Sequence, residues 1–106
     1  MSLRMTQITA LVLQAIAGGY RYGFDIMEVT GLPSGTVYPV LRRLERSGLL
    51  RSRWESAVAA MEGGRPRRRL YELTSAGEDA LAVANAKLAE ARRMLSTRLL
   101  PMRGKA

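Results

Sequence analysis

The chain has neither cysteine nor histidine. The first absence excludes disulfides, thiolate redox chemistry and thiolate zinc sites; the second removes the usual ligands of most other transition-metal sites. No metal and no cofactor is expected. No apolar run approaches the length that spans a bilayer. A glycine-rich phosphate cradle followed by Lys-Ser/Thr is also missing. Asp25 and Glu28 stand three apart on a short helix, but a solvated helix face explains them better than a catalytic pair. Catalysis is not expected. Negative charge is scarce as well: nine Asp and Glu face seventeen Lys and Arg, for a formal net charge of +8.

With 106 residues there is room for one small domain, 47 % of it apolar, and perhaps one protruding element. So small a core leaves apolar surface that a dimer would cover. The positive balance favours a polyanion, either nucleic acid or an acidic membrane surface. Only Lys87 and Lys105 are lysine, so the other fifteen bases are arginine, the side chain that forks onto phosphates and guanine edges.

Arg4 and the apolar run Ile8 to Ala17 superficially mimic a secretory leader. Thr6, Gln7, Thr9 and Gln14 interrupt that run, and Ile8, Leu11, Val12, Ala15 and Ile16 fall on one helical face. The expectation is a cytoplasmic chain whose first helix runs from about Thr6 to Ala17. A short second helix, Gly23 to Thr30, turns Phe24, Met27 and Ile26 inward. Gly31-Leu-Pro33 makes a turn. The third helix starts at Ser34, expected as its N-cap, and carries Val37, Val40, Leu41 and Leu44 as an apolar stripe. Pro39 should cost it one hydrogen bond.

Leu50 to Glu55 alternates as a half-buried strand, Ala57 to Pro66 has no useful period and is taken as a hairpin tip, and Arg67 to Leu73 returns. Thr74 or Ser75 caps a last helix of about 25 residues ended by Pro101, with Met102–Ala106 as a flexible basic tail. Leu81, Ala84, Leu88, Ala91 and Leu95 step by three and four, a heptad seam suited to a second helix. Its polar face mixes Glu78, Asp79, Lys87, Glu90, Arg92 and Arg93, unlike the basic face of a membrane-surface helix, so no membrane partner is expected. The expected fold class is mainly α with a two-stranded β-wing (α+β), a winged helix-turn-helix ordered as three helices, two strands and a long dimerisation helix. Residues 1–74 would form the DNA-binding domain, 75–101 the dimerisation helix and 102–106 the tail.

Tyr22-Gly-Phe-Asp-Ile26, Ser34-Gly-Thr-Val-Tyr-Pro-Val-Leu-Arg-Arg-Leu-Glu45, Gly48-Leu-Leu50, Trp54 and Gly64-Arg-Pro-Arg-Arg-Arg-Leu-Tyr-Glu-Leu-Thr74 followed by Gly77 resemble the PadR family of transcriptional regulators, over about residues 8 to 80. The resemblance implies a homodimeric repressor whose C-terminal helix packs on the partner's first helix, which adds Leu11 to the dimer surface. It also implies release of DNA on binding a small aromatic or lipophilic effector. The chain departs from the pattern twice. Its second helix and turn are shorter than in many members. Its C-terminal helix carries no aromatic residue, whereas members that sandwich flat drugs between protomers place a tryptophan there.

On the third helix, Thr36, Tyr38, Arg42 and Arg43 lie opposite the apolar stripe. They fit base edges and phosphates near the helix N-terminus, and the resemblance adds Ser34 and Gly35. The plainer alternative packs Tyr38 and Pro39 on the second helix and leaves the arginines solvated. Arg65, Arg67 and Arg68, with Arg69, fit phosphates, since Gly63, Gly64 and Pro66 let the tip approach a backbone closely; an edge strand guarded by charge is the alternative. Tyr22 resembles the family's phosphate-contacting tyrosine, or else only caps the second helix. Trp54 is expected to pack beneath the wing beside Leu50. The expected function is sequence-specific binding of a pseudo-palindromic double-stranded DNA operator by a homodimer, with an effector of unknown identity. The alternative is a winged-helix module for protein–protein or RNA contacts.

Overall fold

Thr6 opens the first helix by accepting a hydrogen bond on its hydroxyl from the Thr9 N–H, 3.1 Å away. The computed structural model describes the backbone of residues 5–103 and the side-chain surroundings of residues 5–97. Helix α1 spans Gln7–Ala17, α2 Gly23–Thr30 and α3 Ser34–Arg46; strand β1 spans Leu50–Trp54 and β2 Arg69–Leu73; between them lies α4, Ala57–Glu62, and after them α5, Ser75–Arg103. The strands pair antiparallel, Leu50 opposite Leu73 and Trp54 opposite Arg69. Tyr22 adds a single bridge to Leu70, so the chain entering α2 is tied to the edge of the hairpin.

The core collects Val12, Leu13, Ala15 and Ile16 from α1, Ile26 from α2, the four stripe residues of α3, and Leu50, Tyr71 and Leu81. The expected stripe of α3 is thus wholly buried. Pro39 leaves that helix continuous from Ser34 to Arg46, although it has no N–H to offer the Gly35 carbonyl one turn back.

Several expectations are corrected. The hairpin tip is not loop throughout: Ser56 caps α4 by accepting the Ala59 N–H at 3.1 Å. Six residues are too few for a periodic signal, so only Ser56 and the alanines announced that helix. In α1, Thr9 and Leu13 replace Ile8 and Leu11 in the buried face. Ile8 and Leu11 begin a second apolar face that this chain leaves open. Phe24, expected inside, is 62 % exposed, since α2 turns Gly23 and Ile26 to the core instead. Trp54 is 55 % exposed: it sits at the far end of β1, beyond the reach of the core that buries Leu50. Pro33, not Ser34, is the N-cap of α3, with no side-chain capping bond. The last helix passes through Pro101 to Arg103, so of the expected tail Gly104, Lys105 and Ala106 lie outside the described residues.

One joint fixes the long helix to the rest. Thr74 donates its hydroxyl to the Gly48 carbonyl at 2.6 Å and accepts the Gly77 N–H at 3.1 Å, while its own N–H reaches the Leu49 carbonyl at 3.1 Å. Gly77 is buried, and a Cβ there would fall on the Leu49 carbonyl oxygen. The first turn of α5 is thereby clamped to the corner between α3 and β1.

Candidate nucleic-acid interface

Burying Val37, Val40, Leu41 and Leu44 forces the opposite face of α3 outward, so Ser34, Gly35, Tyr38, Arg42 and Arg43 are exposed and Thr36 half-buried. The turn before it is short: Gly31 is left-handed at φ 74, and Thr30 accepts the Leu32 N–H at 3.2 Å while donating to the Ile26 carbonyl at 2.6 Å. The N–H groups of Ser34 and Gly35 have no backbone partner among the described bonds. Unpaired donors at a helix start, added to the helix dipole, suit an anionic oxygen. Arg42 and Arg43 form no ion pair with any acid among the described residues.

Tyr38 combines both readings of its role. Its ring lies so close over Gly23 that a Cβ there would stand 2.6 Å from the ring edge and hydroxyl. The ring therefore packs on α2, yet the residue stays 39 % exposed. Tyr22 is the neighbour of Gly23, half-buried, with the Arg68 guanidinium 3.7 Å from its ring centroid. The entrances of α2 and α3 and the base of the wing meet at these residues.

The wing arginines are less free than their clustering suggests. Arg65 holds both oxygens of Glu55, at 3.0 and 2.7 Å, and Arg68 reaches the same carboxylate at 3.2 Å. Arg67 donates to the Glu55 carbonyl at 2.7 Å but remains exposed. Burial alone would raise the Glu55 pKa; the Arg68 hydrogen bond and the charges of Arg65 and Arg68 outweigh it and hold the carboxyl below its usual range. Arg69 donates to Ser52 Oγ at 2.8 Å, Ser52 donates in turn to Glu45 of α3, and Arg69 lies 5.4 Å over Trp54. Glu72 on the outer face pairs with Arg51 and Arg53, each at 3.3 Å. Hydrogen bonds from Arg53 and Arg51 hold its carboxyl low too.

Sequence reasoning missed Glu55, whose only signal was an acidic residue ending a strand in a hairpin that carries six arginines. It also missed the Thr74–Gly77 joint: the expected cap, Thr74 or Ser75, does not imply the bonds to Gly48 and Leu49. The expected dimer residues divide. Leu81 is buried in its own chain, Ala84 is half-buried, and Leu88, Ala91, Leu95 and, on α1, Leu11 are exposed. Between the start of α1, the end of α3 and the middle of α5 lies an open, mostly apolar groove of about 920 Å³, lined by Met5, Ala10, Leu49, Val83 and Leu88 with Lys87 at its rim. Among the described residues no cluster of acids could hold a metal ion, and no helix is long and apolar enough to cross a membrane.

A helix-turn-helix with a hairpin at its flank and an arginine-bearing outer helix face defines a winged-helix transcriptional regulator. The chain belongs to the transcriptional regulator PadR-like family, whose profile matches residues 12–83. It is similar to a PadR family regulator from Clostridium difficile R20291, at 23 % identity and TM-score 0.76, covering 89 % of this chain and 99 % of that one. The smu.1704 protein of Streptococcus mutans UA159 is 25 % identical with TM-score 0.72, over 91 % of each chain. The PcaV transcriptional regulator of Streptomyces coelicolor, solved in complex with its natural ligand, is 23 % identical with TM-score 0.74, over 88 % of this chain and 62 % of its own. No curated protein matches the chain. Regulators of this family bind DNA and typically act as dimers.

Proposed function

We propose that this regulator is a cytoplasmic homodimeric repressor that reads a pseudo-palindromic operator and leaves it when a small molecule binds. The observation that carries the reading is the outward face of α3. It presents Thr36, Tyr38, Arg42 and Arg43 away from a fully buried stripe, beside a helix start with unpaired N–H groups. Thr36 and Tyr38, nearest that start, read base edges; Arg42 and Arg43 hold phosphates. Tyr22, Ser34, Gly35 and the wing complete the contact set: Arg67, the exposed one, meets the phosphates, while Arg65 and Arg68, held on Glu55, contribute by shaping the wing that presents it. Residues 1–74 are the DNA-binding unit and 75–101 the dimerisation helix.

Two such units, joined along Leu88, Ala91 and Leu95 with Leu11 of the partner's first helix, would set their third helices about 34 Å apart, one turn of duplex. Exposed apolar side chains along α5 and α1 support this joining. The groove between α1 and α5 supports an effector of small lipophilic character, because anything seated there bears on the angle of the long helix.

Selection of binding sites from randomised duplexes at one fixed salt concentration tests the reading. Enrichment of a two-fold related pair of half-sites is the expected result. Binding that depends steeply on salt and not at all on sequence would instead make the chain a general polyanion-binding module.

A further inference from the structure

Glu55 is 7 % exposed, the one buried carboxylate among the described residues. In a chain of net charge +8, an acid at the centre of the wing is electrostatically wrong for binding DNA. Its field cancels part of what neighbouring arginines offer a phosphate. Removing a carboxylate from water is also costly unless partners compensate. Here they do: Arg65 forks onto both oxygens, Arg68 takes a third bond, and the backbone of Glu55 holds both flanks of the returning chain. Its N–H donates to the Arg68 carbonyl at 2.7 Å and its carbonyl accepts from Arg67. The Arg68 guanidinium pinned in this way is the one stacked on Tyr22. Tyr22 in turn is paired to Leu70 and precedes Gly23, on which Tyr38 of α3 rests. A continuous chain of contacts thus runs from Glu55 through Arg68 and Tyr22 to the start of the α3 face.

We infer that Glu55 is a positioning residue for DNA binding: its carboxylate latches Arg68 onto Tyr22 and so sets the wing and the Tyr22 hydroxyl together against the phosphate backbone. The inference rests on the DNA-binding reading given above. In it Arg65 and Arg68 serve as structural clamps, and the backbone is met by Tyr22 and Arg67. The consequence runs against simple electrostatics. Deleting this negative charge should weaken binding to DNA, not strengthen it.

The test is a titration of a selected operator duplex, at several salt concentrations, with the full chain and the variants E55Q, R68Q, Y22F and R68Q/Y22F, each checked for a cooperative thermal transition. E55Q carries one more formal positive charge than the parent. It is expected to lose about tenfold or more in operator affinity and to flatten the slope of log K against log salt by about one phosphate contact. R68Q and Y22F should each weaken binding. Their combination should be no weaker than the worse single variant to within about twofold, because both break one path. E55Q binding as tightly as the parent, or more tightly, overturns the inference. So do additive effects of R68Q and Y22F, which would make Arg68 a phosphate contact in its own right. Should E55Q fail to fold, the R68Q and Y22F cycle decides, since it leaves the Glu55–Arg65 pair in place. A parent protein that binds no duplex removes the DNA reading and this one together; a parent that binds while the variants behave otherwise removes this one alone.

Discussion

Gly77 and Gly23 act through the side chain they lack, at two joints of different purpose. The space that a methyl at Gly77 would need is filled by a backbone carbonyl, that of Leu49, which cannot swing away. Gly77→Ala is expected to cost about 1–3 kcal/mol or more, as overpacking does. That would lower the thermal midpoint by roughly 4–8 °C per kcal/mol, measurable by a calorimetric or circular-dichroism melt. At Gly23 the obstacle is the ring of Tyr38, a side chain that can move. Gly23→Ala should therefore leave the melt close to that of the parent and displace Tyr38, reducing the ratio of operator to random-duplex affinity. An unchanged ratio would remove Tyr38 from the reading role. Glu55 and Glu72 are expected to contribute to the response to acid. The Glu55 carboxyl ordinarily titrates at 4.5 and is held lower in the fold, as is that of Glu72. Stability from such groups is complete above the unfolded value and disappears as pH falls through the lower folded one. Thermal midpoints should be flat above about pH 5 and decline below about pH 4, and E55Q should show a smaller decline than the parent.

At the scale of elements, α3 was legible from the sequence and the wing only in part. Four apolar residues spaced three and four apart, between Pro33 and Ser47, can bury together only as one helix face. The outward face follows with no further information. Thr36→Ala with Tyr38→Ala should therefore erode discrimination between operator and random duplex. Arg42→Gln with Arg43→Gln should weaken both alike and flatten the salt slope by up to about one unit per lost contact. Competition binding against random duplex separates the two patterns. The wing was harder. Strand alternation located β1, but it could not say that Trp54 lies past the end of the core. Nor could it say that Arg65 and Arg68 turn back on Glu55, because no periodic pattern encodes an ion pair across a hairpin. The short α4 was invisible to periodicity for want of length.

For the molecule as a whole, the long helix sets the shape. The chain has a radius of gyration of 17.6 Å and a longest extent of 62 Å, against about 13 Å for a compact domain of this size. Leu88 and Leu95 are half or more exposed along that projection, while Leu81 belongs to the core. Leu88→Glu with Leu95→Glu should yield folded monomers in sedimentation and a loss of operator affinity. Leu81→Ala should instead destabilise the protomer by about 2–5 kcal/mol, as buried leucine truncations do. Dissociation by the second variant without loss of stability would return Leu81 to the seam.

The amino-acid order alone was enough to determine the α3 stripe, the two-strand hairpin, the heptad spacing of the last helix and the basic balance, since each is a local pattern with a known period or a simple sum of charges. Which face of α1 goes inside, where Phe24 and Trp54 end up, and which arginines remain available were decided by tertiary structure. Those outcomes depend on what stands opposite a side chain once distant segments meet. A carboxylate thirteen residues from its arginine, or a carbonyl pressed against a glycine, exists as an interaction only after the chain has folded.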